Sequence, residues 1–403
     1  MLPRLSVIVV SRHRPEALRL CLLALRQQIG VQPEVIVVAD HASLAALDAT
    51  DVKAVAFEAP NISTARNLGL AQAACDVVAF IDDDAVAEPT WAGRLLAAFA
   101  LPDVVAATGD VRGRNGLSYQ WRAAEVDALG QDHPLSLPEE GIHLPPVGLD
   151  RAIKTPGTNC AFRTQALRQI GGFDPGFRFY LDETDVNLRL VAMGRSAIVP
   201  LAQVVHGFLP SERRRADRVP LSLFDIGAST ALFLRRHAPD RLAQGQAMME
   251  GDQRRRLLRH MLAGRIEPRD VRHLLADLRA GWAEGAARPH SVLAPLDSAP
   301  PPFLPLCLQA SSRGQVVAGW VWNRSTVLAR AAAARAKGQV VTVVLLSPGW
   351  RRHVLRFAAP GIWLQEGGLW GRAERSDPPP LRVRFARRVA MIAARAARLR
   401  PVE

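Results

Sequence analysis

Four cysteines in 403 residues, at positions 21, 75, 160 and 307, lie far apart and form no CxxC pair. That spacing argues against a zinc site and against a disulfide framework, and it fits a reducing compartment. No apolar run approaches the ~18 residues that a membrane span requires. The opening stretch MLPRLSVIVVSRHRPEA has too few apolar residues before Arg12 for a signal-peptide core, so it reads as a first strand. The expected location is therefore the cytoplasm. Two nucleotide signatures are also missing. The first strand–helix turn has no GxGxxG, which weakens a dinucleotide-binding reading, and the P-loop pattern does not occur. No internal repeat is found.

What is present is ordinary for a globular chain: 49% of residues are hydrophobic and 22% charged, which excludes a disordered or membrane-spanning class. The length allows one large domain plus something smaller, or two to three domains. The net charge of +13 is unevenly placed. Residues 240–403 hold 27 Lys and Arg against 12 Asp and Glu, whereas residues 1–239 are close to neutral. A surface of that sign attracts anionic partners such as phospholipid headgroups or nucleic acid.

Along the first part, strand-like and helix-like stretches alternate. LSVIVV (5–10), EVIVVAD (34–40), AVAF (54–57), VVAFI (77–81) and VVAATGDV (104–111) read as strands. Helices are expected over 15–28, 61–75 with Asn61 or Ser63 as N-cap, and 88–99. Continuous apolar strands separated by helices indicate a mostly parallel sheet covered on both faces. Residues 112–150 look like a loop-bearing insertion. LDETDVNLRLVAMG (181–194) reads as a helix with acids in its first turn, where the macrodipole favours them. SAIVPLAQVVHGF (196–208) supplies two short strands. Arg-rich helical segments follow from 221, and SAPPPF (298–303) reads as a linker. Beyond it, QVVAGWVW and QVVTVVLLS are strands of a small separate α/β unit. The expected division is 1–220, 221–297 and 298–403. The tail LRVRFARRVAMIAARAARLR is basic and amphipathic, either a solvated helical face or a membrane-surface anchor. Trp320, Trp322, Trp350, Trp363 and Trp370 dominate this last unit, with core packing their default use and a sugar-stacking platform the sharper one.

Chemistry gathers at the strand ends. VVAFI stops on Asp82, Asp83 and Asp84, three adjacent carboxylates that repel one another. Either a divalent cation holds them or they stand on a solvated turn. Ser11, Asp40, Asp82 and Asp84 all end strands, and ligands of open α/β sheets bind beyond those ends.

The stretches SVIVVSRHRPEALRLCLLAL, EVIVVAD, NISTARNLGL, VVAFIDDD, TPGTNCAFRTQALRQIGGFDP, FYLDETDVNLRL and AQVVHG, in that order, resemble the family 2 glycosyltransferases. The resemblance covers about residues 4–208. It implies a GT-A fold, a Rossmann-like α/β architecture with a mostly parallel sheet. It further implies that Asp40 bonds the base of a nucleotide sugar, with Ser11 and Arg12 beside the same nucleotide. Arg66 and Asn67 match an ArN pair that orders the donor side of the pocket. Asp82 and Asp84 match the DXD motif, the last acid coordinating Mg²⁺ or Mn²⁺, and Asp83 between them counts with the donor-binding residues. Asn159 matches a segment lining the sugar and acceptor site. Asp182 and Glu183 match an acid pair whose second member is the catalytic base, and His206 matches a histidine that adds a metal ligand in some members.

One departure is the order Asp182–Glu183, where the family has Glu then Asp. By position the base is Glu183, with Asp182 the second candidate. No QxxRW motif occurs, which favours transfer of a single sugar over polymer synthesis. The expected function is inverting, metal-dependent transfer from a nucleotide-diphosphate sugar to a glycan or glycolipid acceptor in cell-surface polysaccharide or glycolipid assembly. Residues 240–403 would hold the chain at an anionic inner membrane face. The alternative is an inactive member serving as a nucleotide-sugar-binding or scaffolding subunit. A nucleotidyltransferase would want glycines in SRHRPEA. Nucleic acid is a poor fit, because the basic part lacks an interleaved aromatic–basic motif.

Overall fold

The computed structural model describes residues 3–47, 50–296, 299, 301–374, 377 and 383–402. A seven-stranded sheet forms its centre, in the order 195–198, 104–108, 160–163, 77–82, 5–11, 34–39 and 53–56. Its pairings are parallel except for Cys160–Arg163, which runs antiparallel to both of its neighbours. The α/β, mostly parallel architecture expected from the sequence is the one observed.

Side-chain alternation explains why the central strands carry continuous apolar runs. Val7 and Val9 feed one core with Leu18, Leu22, Trp91 and Leu95, from helices Pro15–Leu25 and Trp91–Ala98. Ile8, Ile36 and Phe80 feed the opposite core with Ala65, Leu70, Phe162 and Phe173. Both faces are covered, so both sets of alternate residues are mostly apolar, and the buried Ser6 and Glu34 bond each other at 2.6 Å. Helix Ile62–Ala71 begins where the Asn61 side chain accepts from the Thr64 amide, 3.0 Å away.

The strand expected over 104–111 is divided. It ends at Thr108, and Val111–Arg112 enters a second sheet with Ala85–Ala87, Val204–His206 and Tyr119–Trp121. A Cβ at Gly109 would collide with the carbonyl of Ala202, which makes this the tight crossing between the two sheets. The second sheet sets His206 opposite Ala85, beside the three acids.

Helices Phe224–His237, Leu242–Leu262 and Pro268–Ala287 follow. The first and third approach closely because Gly227, Gly281 and Gly285 have no side chain, and a Cβ at any of them would strike the partner backbone. Arg236 ties this helical group back through Asp174 and Asp185, at 2.6 and 2.7 Å.

In the last part, parallel strands Gly314–Trp320, Val340–Ser347 and Ile362–Gly368 carry an antiparallel edge, Val354–Ala358. The linker expected at 298–303 falls partly outside the described residues. The unit beyond it does not stand apart. Phe357, Trp363 and Val340 pack with Ala24 of the first helix, and Gln27 donates to the Gly361 carbonyl at 2.7 Å. Arg400 and Glu88, both buried, form a two-point ion pair at 2.6 and 2.8 Å. The amphipathic tail is helical over Phe385–Ala396, and Phe385, Val389 and Ile392 lie against Val344 and Leu346. Its apolar stripe is therefore covered by the sheet and is not open to a bilayer. Among the described residues, no helix is long and apolar enough to cross a membrane.

Candidate active site

The strand Val77–Asp82 delivers its three acids into a turn before Ala85–Ala87, and each acid meets a different environment. Asp83 is buried, accepting from Ser11 Oγ at 2.7 Å and from Arg14 at 3.1 Å. Burial lifts its pKa to about 6, against the opposing pull of Arg14 and Ser11. Asp84 faces His206, whose Nε2 lies 3.1 Å from Oδ1, and it also accepts from the Leu209 amide at 2.7 Å. Burial works against its charge, yet these bonds and the His206 charge hold it down at about 2. Asp82 is the most open of the three, 3.8 Å from His206 Nε2. Burial would lower the His206 pKa, but the Asp84 and Asp82 carboxylates outweigh it and raise the ring above its ordinary value.

Asp82, Asp84 and His206 each turn a ligand atom inward, and these atoms lie within 4.8 Å of one another. Two carboxylate oxygens and one imidazole nitrogen suit a hard or borderline divalent ion such as Mg²⁺ or Mn²⁺. The other ring nitrogen, Nδ1, is 3.2 Å from Gln120 Oε1, which fixes the ring's orientation.

Arg66 stands between this group and the second acid pair. Its Nη1 bonds Asp182 and lies 4.0 Å from Glu183, while Nη2 is 3.9 Å from Asp82. The guanidinium rests on the rings of Phe173 and Phe80, 5.1 and 5.7 Å from their centres. Gly157 leaves room for it, since a Cβ there would overlap the guanidinium. Asp182 is buried; burial lifts its carboxyl well above the ordinary range and the adjoining Glu183 adds to the rise, while Arg66 opposes. Glu183 is the more open acid, with side-chain exposure of 19% against 4% for Asp182. Both head the helix Asp182–Leu190, which begins after Tyr180 and Leu181 at φ of 74° and 65°. Two successive left-handed non-glycine residues store strain next to the acids.

The other residues singled out in the sequence make the following contacts. Asn67 is held by the Phe173 backbone, donating at 2.7 Å and accepting at 2.9 Å, so it pins the GGF turn. Asn159 is fully buried; it accepts from Trp91 Nε1 at 2.8 Å and donates to the Ala202 and Asp110 carbonyls. It knits strands and helix together. Asp40 caps His41–Ala45 through Ser43 and accepts from the His13 amide at 2.6 Å, which holds it at about 2 despite burial. Arg12 is paired with Glu212 at 2.6 Å and donates to the Glu58 carbonyl at 3.2 Å. Asp185 is wholly buried among Arg189, Arg236 and His237, a structural knot.

Sequence reasoning passed over Arg14 and Gln120. It also passed over Arg214 and Arg218, which lie over the Phe208 ring at 3.7 and 4.7 Å, just beyond His206. The basic run SERRRADR (211–218) was a readable signal for the last two; nothing local marks Gln120.

Residues 6–171 match the family model described as Glycosyl transferase family 2. The pre-mycofactocin glycosyltransferase from two strains of Mycobacterium tuberculosis is 30% identical over 187 residues, 45% of this chain and 36% of that protein. The chain thus spans about a third of the length of these curated relatives, 36%. Among solved structures, GalNAc-T7 with UDP, GalNAc and Mn²⁺ is 14% identical with a TM-score of 0.43, covering 58% of this chain and 48% of that one. The mannosyltransferase PcManGT from Pyrobaculum calidifontis, in complex with GDP-Man and Mn²⁺, is 18% identical with a TM-score of 0.41, covering 71% and 87%.

Proposed function

We propose, from the match of residues 6–171 to the glycosyl transferase family 2 model, that the chain moves a single sugar from a nucleotide-diphosphate sugar to an acceptor hydroxyl, with inversion. The observation that carries this reading is the shared reach of Arg66, which brings Asp82 of the metal-competent group and the Asp182–Glu183 pair to one place. Asp82, Asp84 and His206 would hold Mg²⁺ or Mn²⁺. When bound, such an ion supplies Lewis-acid neutralisation of charge on a departing diphosphate.

The chain's own residues do the remainder. Ser11 and Arg14 keep Asp83 turned inward, which frees the two flanking carboxylates to face the ion. Arg66 keeps Asp182 engaged, so the neighbouring, more open Glu183 is the group able to take a proton from an acceptor hydroxyl. General-base catalysis of this kind is worth roughly 10²–10⁴-fold in rate. One base and direct displacement give inversion at the anomeric carbon. The acceptor is a glycan or glycolipid of cell-surface assembly, and the basic residues 240–403 meet an anionic inner membrane face.

The test is transfer from a panel of nucleotide sugars with and without Mn²⁺. Turnover should require the ion, and Glu183→Gln should abolish it while nucleoside-diphosphate binding persists. A second reading, a scaffold that binds nucleotide sugar without turnover, draws on the reversed acid order. It gains if wild-type protein binds donor yet neither hydrolyses nor transfers any member of the panel.

A further inference from the structure

Four tryptophans collect where the parallel strands of the C-terminal sheet end. Trp320 closes Gly314–Trp320 and Trp322 follows it; Trp350 follows Val340–Ser347, and Trp370 follows Ile362–Gly368. They form two inner–outer pairs. Trp320 and Trp322 stack at 5.0 Å with planes 12° apart, and Trp350 meets Trp370 at 5.6 Å. The inner members pack on the cluster of Val344, Leu346, Leu369 and Ile392. The outer members do not: Trp322 is 62% exposed and Trp350 56%, more than any other aromatic side chain among the described residues. Core packing accounts for Trp320 and Trp370 and fails for these two.

The surroundings are cationic. Arg351 and Arg352 continue the chain from Trp350, and Arg384 and Arg387 flank Phe385, which itself touches Trp320 at 4.7 Å. All four arginines are exposed, and none has an ion pair among the described residues. The unit's described acids are already engaged, Glu366 by Arg324, Asp377 by Arg395, and Glu374 lying 4.0 Å from Arg112. The edge therefore presents two projecting indoles and free guanidiniums, and the unit's described acids are turned to other partners.

We infer that this edge is a membrane-docking face, with Trp322 and Trp350 seated at headgroup depth and Arg351, Arg352, Arg384 and Arg387 paired with anionic lipid phosphates. Indole suits a boundary that is apolar on one side and wet on the other, and juxtaposed arginines add attraction to an anionic leaflet. A platform for an acidic-partnered glycan would present free carboxylates beside the rings, and here the free charged groups of the described residues are cations. The inference rests on the proposed meeting of residues 240–403 with an anionic membrane and assigns it to one edge. It also limits the tail helix to the arginines at its start, Arg384 and Arg387, since that helix has its apolar side against the sheet.

Flotation of the full chain with vesicles of phosphatidylglycerol and phosphatidylcholine, against phosphatidylcholine alone, tests it. Trp322→Ala/Trp350→Ala and a four-fold Arg→Gln variant at 351, 352, 384 and 387 should each bind the anionic vesicles about tenfold more weakly. Brominated lipid should quench the wild-type tryptophan emission, a readout that needs no variant to fold. If Arg254→Gln/Arg259→Gln on the helix Leu242–Leu262 removes binding and the edge variants do not, the edge assignment falls while the wider membrane reading stands. If no vesicle binds the wild type, both fall. Quenching or shift by a neutral polysaccharide but not by lipid would overturn the inference in favour of a glycan platform.

Discussion

Asp82 and Asp182 meet opposite ends of one guanidinium, although one ends a sheet strand and the other begins a helix far along the chain: Arg66 bonds Asp182 through Nη1 and lies 3.9 Å from Asp82 through Nη2. Two carboxylates drawn this close with little water would repel, and burial alone would favour their protonated forms. A planar cation with a fixed fork removes that conflict and sets the spacing of the two acids. The two halves of the site are thereby coupled. Any cation that neutralises Asp82 leaves Arg66 more fully to Asp182, so occupancy on one side bears on the geometry of the other.

Arg66→Lys tests the fork. A lysine keeps the charge but offers a single point, which cannot reach both acids. Turnover should fall by about 100-fold, the size of effect that ångström-scale misplacement of reacting groups produces. Nucleoside-diphosphate binding, followed by calorimetry, should change much less. Equal losses in both would show that Arg66 serves binding alone.

Asn159→Ala should lower stability and not donor affinity. Removing the amide leaves Trp91 Nε1 and the Ala202 carbonyl buried without partners, and each orphaned group costs about 1–3 kcal/mol. A fall of about 3 kcal/mol in urea unfolding, with donor affinity of the folded protein unchanged, is the expected result. Asn67→Ala should behave alike through the GGF turn, whose Phe173 amide and carbonyl it serves.

The contacts of these two asparagines could not be read from the sequence. Strand identities, the Asn61 cap and the acids at the strand ends are local features: alternation and capping are fixed by residues a few positions apart. The destination of a side-chain amide is settled by tertiary packing, and Asn159 finds Trp91 and Ala202 from distant parts of the chain. Gln120 beside His206 is equally long-range. The helix Phe385–Ala396 shows the same limit for apolar groups. Its periodicity displays a stripe, but only the folded sheet shows that Val344 and Leu346 cover it. The strand Cys160–Arg163 is hard to read for the opposite reason: four residues, three of them buried, are too short a run to separate strand from turn.

His353 predicts a stability loss on mild acidification. It is buried between Gly368, Gln365 and Arg388. Burial chiefly, and Arg388 secondarily, bring its pKa to about 4 from the ordinary 6.5. The unfolded chain thus takes up this proton near pH 6.5 and the folded chain only near pH 4. Stability from the neutral ring is full above 6.5 and is lost as pH falls between those values. From pH 7 to pH 5 the loss attributable to this ring is about 2 kcal/mol. His353→Gln should flatten that part of the profile in urea titrations at the two pH values. A slope unchanged by the substitution would assign the loss to other groups.

The metal-competent group gives the last prediction, read without turnover. Asp84 and His206 are 3.1 Å apart and each can offer one atom to an ion, while Gln120 only orients the imidazole. Loss of free Mn²⁺ signal in electron paramagnetic resonance, on titrating protein with a nucleoside diphosphate present, measures affinity directly. Asp84→Asn should weaken binding most, because it removes a charge as well as an oxygen donor. His206→Ala should follow, and Gln120→Ala should cost roughly 10–100-fold, the range for groups that orient a ligand. Glu183→Gln should leave Mn²⁺ affinity near the wild-type value, since Glu183 lies on the far side of Arg66 from the group. If Gln120→Ala had no effect while His206→Ala did, the imidazole would be positioned by its strand alone, where His206 pairs with Ala85.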